Sequence, residues 1–339
     1  MPSSIQILRS RLSREHRLSC LLLVLSLASY TSVTQATEKD VFNSGYLHDS
    51  TSDDFAREEF FFNYRNHRHA YFWPWEETTQ TGLDWGVDAK HLQGSTTTQN
   101  FDAQRVLAML GKRFSPNVYV EGWLGRHRLQ VRSDNTTSLT VYSASAYLAP
   151  LPSLDLRLTT DRDFVYPENI LPAGISQQLS ARTQRVQITW RPQKRVRAIA
   201  GARWRHFNDD NNERYSSLNV LYGISPEWPW VWMGIGGERL KFDDVKPGYW
   251  TPAKSTAYGL RFEANFALTP RVNQIAQINV DRIHENDVSG KGSYGVLGLE
   301  IHLTRSLYLT LQGNRISSLQ SGSRWRENTY TLFLSGGLR

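Results

Sequence analysis

The sequence has a single cysteine, Cys20, and it lies within the first 36 residues. Four arginines precede an apolar run over residues 21–27, and small residues follow up to Ala36. A basic segment, a short apolar run and a small-residue end together predict a cleavable secretory signal peptide over residues 1–36. The chain that follows, residues 37–339, has no cysteine, so disulfide bonds play no part in its fold.

Long apolar runs are also missing from the rest of the chain, and the mean hydropathy is −0.48. No stretch long enough for a transmembrane helix follows the signal, and no stretch sustains a capped helical period for two turns. Removing the four arginines and one glutamate of the signal lowers the formal net charge from +7 to +4. A charge this small gives no reason to expect nucleic-acid binding.

What the sequence does have is strict alternation of apolar and polar residues, from about residue 79 to the end. In one segment Tyr258, Leu260 and Phe262 share a face, while Arg261 and Glu263 share the other. A strand of a membrane barrel shows this pattern because only every second residue faces lipid. A soluble sandwich or propeller is the alternative, and it gives no reason for short turns at one end and long loops at the other.

The breaks between the alternating segments also alternate, between short turns with proline and longer polar loops. The short kind includes residues 150–153 and 191–194, and the long kind includes residues 166–177, 285–292 and 319–324. Short turns on one side and long loops on the other are typical of an up-and-down barrel in an outer membrane. The sequence therefore predicts outer-membrane localisation after secretion through the signal peptide.

Fourteen strands are predicted to begin near residues 79, 103, 118, 137, 154, 177, 195, 213, 230, 255, 272, 292, 307 and 325. Residues 41–48 and 58–68 can supply one more hairpin, joined to the rest by the aromatic turn Phe72–Trp75. We therefore predict an all-β, transmembrane, up-and-down antiparallel barrel of sixteen strands over residues 37–339. Fourteen strands is the alternative, because the run Phe60–Phe62 breaks the alternation. A barrel of this size leaves an aqueous lumen.

Aromatic residues make up 12% of the chain, as interfacial girdles require. Trp228, Trp230 and Trp232 cluster at one short turn and are predicted to form part of the periplasmic girdle.

Two short motifs resemble those of a known family. The loop Gly248–Pro252, followed by a strand that opens Ala257–Leu260, is similar to a signal in the C-terminal barrels of exopolysaccharide export porins. These include the poly-N-acetylglucosamine porin and the cellulose export subunit. Gly45-Tyr46 with Asp49–Phe55 is similar to the start of those barrels, although the chain ends Leu334–Arg339 without a terminal aromatic. The resemblance covers the chain after the signal and implies a conduit for a secreted glycan.

The resemblance also implies partners. Those porins carry a long array of tetratricopeptide repeats ahead of the barrel, and here only a few residues separate the signal from the first strand. We therefore expect either a separate periplasmic tetratricopeptide scaffold or export without one. The other expected partners are the secreted polysaccharide, an inner-membrane glycan synthase and the lipid bilayer of the outer membrane.

Charged and aromatic side chains are predicted to line the lumen. The acids are Asp84, Asp88, Glu121, Asp155, Glu263, Asp281 and Glu300. The bases are Arg157, Arg185, Arg197, Arg203, Arg205 and Arg261, and the aromatics are Tyr119, Trp123, Tyr147 and Tyr308. Rings that stack on sugars and charges that hydrogen-bond hydroxyls give many weak contacts, which let a polymer move. A mouth loop with Tyr249, Trp250 and Pro252 is predicted to shape or gate the entrance.

Four of these arginines, at positions 185, 197, 203 and 205, fall on two adjacent predicted strands. They suggest a basic stripe on one wall, which would suit an anionic glycan. The alternative is that opposite charges brace the lumen by pairing with one another.

No catalysis, cofactor or metal is predicted. His284 and His302 have no serine motif beside them, so a barrel enzyme is not expected. Asn66–His69 is interpreted as an interfacial tract and Asp209–Glu213 as a solvated turn. A general small-solute porin or a structural anchor for a surface machine stays open as an alternative, and an inward-folded constricting loop would favour the porin.

Overall fold

The computed structural model describes residues 40–66, 83–97, 99–131, 135–165, 175, 177–227, 229–304 and 306–338. The predicted signal peptide, the turn Phe72–Trp75, Trp228 and most of the tract Asn66–His69 lie outside the described residues. No helix in the described part of the chain is long and apolar enough to cross a membrane.

Sixteen strands follow one another along the chain. They are β1 (Asp40–Thr51), β2 (Ala56–Arg65), β3 (Leu83–Ser95), β4 (Asn100–Ser115), β5 (Val118–Val131), β6 (Asn135–Leu151), β7 (Leu154–Phe164), β8 (Ser180–Gln193), β9 (Val196–Phe207), β10 (Asn212–Ser225), β11 (Trp230–Phe242), β12 (Ser255–Thr269), β13 (Val272–Glu285), β14 (Val288–His302), β15 (Leu307–Gln320) and β16 (Ser323–Leu338). The predicted starts agree with these strands to within four residues.

The strands form one closed antiparallel barrel. Each strand pairs with its neighbours along the chain, and β1 closes the sheet on β16 in a register that runs from Asp40 opposite Leu338 to Thr51 opposite Glu327. The prediction of a sixteen-stranded outer-membrane barrel is therefore confirmed, and the fourteen-stranded alternative is wrong.

The first hairpin forms despite the aromatic run that breaks its alternation. Phe60 packs on Tyr46 at the outer face, with ring centroids 5.0 Å apart. Phe61 lies on the inner face, where its ring is 6.4 Å from that of Phe333 and 6.0 Å from Nζ of Lys90. A single aromatic residue that points into the lumen, Phe61, is enough to obscure the apolar–polar alternation in the sequence of this strand.

The connections at the two ends of the barrel differ less in length than the sequence predicts. The end that carries both termini, here called the terminal end, has two-residue turns at 116–117, 152–153, 194–195 and 270–271. The opposite end, here called the mouth end, carries the longer connections 165–179 and 243–254. In outer-membrane barrels the short turns face the periplasm, so we expect the mouth end to face the cell exterior.

Two predicted long loops are wrong, because the strands continue through them. The connections there are two-residue turns at 286–287 and 321–322. Asn286 has φ of 51° and Ser321 and Gly322 have φ of 52° and 74°, and residues in the left-handed region make the tightest hairpin turns. The longest interval between consecutive strands, residues 66–82, separates the end of β2 from the start of β3, and both of these strand ends lie at the terminal end.

The outer face carries the apolar residues that alternation assigns to it. Leu110, Leu124, Ile235 and Leu260 are all more than 60% exposed. Exposure this high suits side chains that face lipid. Trp232 is an exception to the sequence prediction: it is buried, and Arg197 lies over its ring at 4.7 Å, so it faces the lumen and not the girdle.

The alternation inverts toward the mouth end. On β4, Leu110 faces outward, but nearer the mouth Phe101 and Ala103 are buried on the inner face. Asp102 and Gln104 take the outer positions between and beyond them. Outward side chains at this height therefore lie above the apolar band, and inward ones contribute to a packed core inside the barrel.

Two neighbouring residues of β13 test which face meets lipid. Ile278 is 49% exposed on the outer face, and Gln277 points inward opposite Glu263. We expect Ile278→Arg to lower the free energy of unfolding by about 2–4 kcal/mol, because the charge lies near the midplane. Gln277→Arg places the new charge opposite Glu263 and should change the free energy of unfolding by less than about 1 kcal/mol. Urea unfolding in lipid vesicles measures both, and equal losses would contradict the assignment of the faces.

Candidate functional site

An ion-pair network, here called the central network, lies on the inner wall of the lumen and joins β3, β4, β5 and β7. Arg105 on β4 contacts Asp88 on β3 at 3.0 Å and Asp163 on β7 at 2.9 Å. Asp163 also contacts Nδ1 of His127 on β5 at 2.5 Å. Arg105 thus joins strands three apart, so the network braces the curvature of the wall as well as satisfying its own charges.

A second pair lies beside this network, toward the terminal end. Arg65 donates to Glu121 at 2.9 Å, and both side chains are buried. The Arg65 guanidinium lies 4.8 Å from the ring centre of Trp123, whose Nε1 donates to Glu121 at 3.4 Å. Tyr147 also donates to Glu121, at 3.5 Å. Glu121 and Trp123 therefore lie together on the lumen wall.

Four arginines lie inward on adjacent strands, Arg185 on β8 and Arg197, Arg203 and Arg205 on β9, and each has an acidic partner. Arg185 pairs with Asp161 at 2.5 Å. Arg203 and Arg205 share Glu213, at 2.5 and 3.2 Å. The alternative interpretation, that opposite charges brace the lumen, describes this wall, because the positive charge of the stripe is compensated.

Arg197 makes a longer connection. It pairs with Glu263 on β12 at 2.5 Å while its guanidinium stacks 4.7 Å from the ring centre of Trp232. Arg203 stacks on Tyr215 in the same way, at 5.0 Å. Guanidinium–ring stacks of this kind hold a donor group in place without removing its hydrogen-bonding edge.

The remaining predicted lumen residues also face inward. Arg261 pairs with Asp281 at 2.5 Å and donates to Asn219 at 3.0 Å. Glu300 contacts His302 at 3.2 Å, and the His302 ring lies 4.7 Å from that of Tyr308. Asp84 is buried, and Asp155 pairs with Arg191. The Arg157 guanidinium lies 4.9 Å from the ring centre of Tyr147, and the ring of Tyr119 is 5.9 Å from that of Tyr147.

A cavity of about 610 Å³ lies against this wall of the lumen. Its lining includes the central network, Trp123, Arg185 and Arg205, and its upper side is formed by Leu92, Phe164 and Ala181. Small-ligand sites have volumes of about 300–1,000 Å³. The cavity therefore offers room for a small solute or a few units of a polymer among paired donors and acceptors.

An apolar cluster, here called the mouth cluster, fills part of the lumen at the mouth end. Its buried members come from the inner faces of seven strands and from three connections, and they are Phe55, Leu92, Phe101, Ala103, Leu129, Val131, Phe164, Val165, Ile175, Leu179, Ala181, Phe207, Phe242 and Tyr249. The rings of Phe207 and Tyr249 are 4.8 Å apart. The connections at this end thus fold inward and narrow the passage.

Hydrogen bonds fix the mouth loop onto this cluster. Asn211, with no exposed surface, donates to the Tyr249 hydroxyl at 2.9 Å, and that hydroxyl donates to Asp209 at 3.2 Å. Trp250 donates to Glu285 at 3.2 Å, and the Pro252 carbonyl accepts from the backbone of Phe242. Burial raises the pKa of Tyr249, so its hydroxyl stays protonated as a donor throughout the neutral range.

The same contacts correct the interpretation of Asp209–Glu213 as a merely solvated turn. Asp209 and Asn211 hold Tyr249, and Glu213 pairs with two arginines. Among the described residues no group of three or more potential metal ligands occurs.

Several residues of the lumen were missed from the sequence. Arg105, His127 and Asp163 belong to the central network and Arg65 to the pair beside it, yet none of the four was predicted. On β4 the inner face mixes Phe101, Ala103 and Arg105, so its parity cannot be read locally. Counting outward from the regular stretch Val106–Leu110 would have placed Arg105 inward.

A double-mutant cycle tests whether the lumen pairs contribute to stability. Arg197→Gln and Glu263→Gln each leave a partly buried charge without its partner, whereas the double variant removes both. We expect a coupling free energy of about 0.5–3 kcal/mol, reduced by salt because the pair is partly hydrated. Urea unfolding of the four proteins gives the value. Strictly additive single effects would mean that the pair contributes nothing.

Tyr249 tests whether the mouth cluster narrows the passage. Tyr249→Ala removes a buried ring and should release the connection 243–254, raising the ion conductance and the amide exchange rate of that segment. Tyr249→Phe keeps the ring but loses the contacts to Asn211 and Asp209, so we expect a much smaller effect. Planar-bilayer recording and hydrogen exchange measure the two responses. Unchanged conductance in both variants would show that current bypasses the cluster.

Solved structures share this fold. A protein described as a bacterial polysaccharide outer membrane secretin is 12% identical, with a TM-score of 0.68 over 89% of this chain and 99% of the other. CdiB from Acinetobacter baumannii is 9% identical, with a TM-score of 0.50 over 89% of this chain and 61% of the other. OccK7 (OpdD) from Pseudomonas aeruginosa is 11% identical, with a TM-score of 0.46 over 88% of this chain and 97% of the other. No protein-family model and no curated protein matches the chain. At identities this low, the likeness to the polysaccharide secretin and to CdiB shows a common barrel fold and nothing finer.

Proposed function

We propose that this protein is an outer-membrane conduit for a secreted polysaccharide. The observation that supports this proposal is the lining of the lumen, where guanidinium donors and carboxylate acceptors alternate beside aromatic rings. Trp123, Tyr147, Tyr215 and Trp232 each lie within about 5 Å of a stacked guanidinium. A polysaccharide secretin has the same fold, which agrees with the proposal.

Sugar hydroxyls both donate and accept hydrogen bonds, so they match a wall in which donors and acceptors lie side by side. Because the inward-facing arginines of β8 and β9 are paired with carboxylates, they attract an anionic polymer less than a bare basic stripe would. We therefore propose that the lumen contacts hydroxyl groups at many weak sites and does not select by charge. Weak, repeated contacts let a chain keep moving.

The barrel itself performs no chemistry in this proposal. Synthesis at the inner membrane would drive the polymer outward, and a separate periplasmic protein with tetratricopeptide repeats would guide it to the terminal end. The mouth cluster would then part as the polymer passes. The residues proposed to contact the glycan are the predicted lumen set together with Arg65, Arg105 and Trp232.

The mouth cluster also favours a second function, that of a small-solute porin. Inward-folded connections that narrow the lumen are a feature of such channels, and here Val165, Leu179 and Tyr249 extend inward from two connections. The cavity of about 610 Å³ below the cluster is large enough for a single small solute. The two functions differ in how the channel responds to the length of a sugar.

Single-channel recording with neutral, acidic and amino-bearing oligosaccharides of increasing length separates the two functions. A polysaccharide conduit should be blocked for longer times as each oligosaccharide grows, because more weak contacts act together. A small-solute porin should show block that stops rising once the oligosaccharide exceeds the cavity. A current indifferent to every sugar would contradict the polysaccharide proposal.

Trp123 provides the matched variant. Trp123→Ala should shorten the block by neutral oligosaccharides about 5–10-fold, on the scale of roughly 1–1.5 kcal/mol for an aromatic contact. Trp190→Ala removes the same side chain from the outer face, where it is 51% exposed, and should leave the block unchanged. Equal effects of the two substitutions would contradict a contact between the Trp123 ring and the oligosaccharide.

A further inference from the structure

The outer face near the mouth end carries an unusual set of charges. Below it, exposed apolar residues such as Leu124 and Val280 face lipid. Nearer the mouth, most charged residues on the same face of the described strands are basic. They include Arg162, Arg182, Arg214, Lys241, Arg282 and Lys291, here called the basic belt.

The belt starts where the apolar band ends. On β13 the outward residue after Val280 is Arg282, and on β5 the exposed Leu124 is followed on the same face by Arg126. A step of two residues along a tilted strand rises only about 5 Å. The belt therefore lies at the height of the lipid headgroups, where a charge costs about 0–1 kcal/mol and not the full cost of the midplane.

Like charges lie directly opposite one another within the belt. The sheet register places Arg162 opposite Arg182 on β7 and β8, and Arg282 opposite Lys291 on β13 and β14. A third pair, Arg214 opposite Lys241, joins β10 and β11. Side chains opposed in this way are about 4.5–5.5 Å apart at Cβ, and like charges there destabilise a sheet.

The protein supplies few acids to offset this repulsion. In the mouth-end half of the outer face of the described strands, the acidic side chains are Glu58 and Asp102, and Asp102 contacts His91 at 3.3 Å. Arg214 pairs with Asp243 at 3.4 Å, with the Arg214 side chain still 61% exposed. Within the described part of the chain, the Arg162–Arg182 and Arg282–Lys291 positions have no ion-pair partner. The lumen face shows the opposite arrangement, since most of its arginines are paired with carboxylates.

We propose that the basic belt binds the phosphate groups of glycolipids in the outer leaflet. A phosphate between two opposed cations converts their repulsion into attraction to a shared anion, and guanidinium groups bind phosphate in bidentate fashion. The height of the belt puts its side chains level with such phosphates, while the apolar band below contacts the acyl chains. The belt would hold a ring of these lipids around the mouth.

Lipid titration of the full-length mature barrel in a neutral detergent tests this proposal. The probes are lipopolysaccharide and the same lipopolysaccharide after enzymatic dephosphorylation. We expect the phosphorylated form to bind more tightly and to raise the melting temperature. The variant Arg282→Gln with Lys291→Gln should lose affinity about fivefold for each cation removed, whereas Arg282→Lys with Lys291→Arg should retain it.

Lys112→Gln with Arg271→Gln is the matched control, because it removes two cations at the terminal end. This control should keep the affinity and thermal shift of the wild-type protein. Equal binding of the two lipopolysaccharides, or an equal loss in belt and control variants, would overturn the proposal. Melting of the belt variant without lipid checks its fold, and since it removes a repulsion we expect no loss of stability there.

Discussion

The pairing of β1 with β16 is the constraint on which the rest of this structure depends. A strand in lipid has no water to satisfy its N–H and C=O groups, and each unsatisfied group costs several kcal/mol. Closure removes both edges at once, and it fixes the direction in which every side chain points. The division into an apolar exterior and a charged interior follows from this closure and from the pleat.

The two faces then solve the same electrostatic problem differently. Inside, carboxylates and guanidiniums lie within reach of one another, so the lumen is polar while its arginine-rich wall is compensated. Some of these contacts, such as Arg105 with Asp163, join strands three apart and oppose flattening of the barrel. Outside, at the headgroup level, cations oppose cations, and the compensating charge must come from the surroundings.

Most of the fold could be predicted from the sequence because alternation is a local property. Leu260 and Arg261 lie on opposite faces of their strand whichever strands it pairs with. The sequence alone therefore locates the strand starts to within a few residues. The pairs could not be predicted in this way. Arg197 meets Glu263 only because the curvature and stagger of the barrel bring β9 and β12 together, and no spacing in the sequence encodes that contact.

The prediction also failed where the surroundings of a strand change along its length. Alternation assumes lipid on one side and water on the other, and near the mouth neither holds. Phe101 points into a packed lumen and Asp102 points toward headgroups, so the pattern inverts without any break in the strand. Trp232 misled for a related reason, because a large aromatic residue near a turn is as well suited to stacking beneath an arginine as to a girdle.

The seam between the first and last strands also determines how this protein must be made. β1 pairs with β2 on one side, but on its other side its only partner is β16, so that edge of β1 stays open until the last strand is present. An exposed edge of this kind invites pairing with other chains, and contacts between distant parts of a chain form slowly. Before β16 joins β1, each copy of the chain therefore exposes an edge that can pair with another copy, and a chain that stops short of β16 cannot close the barrel in this way.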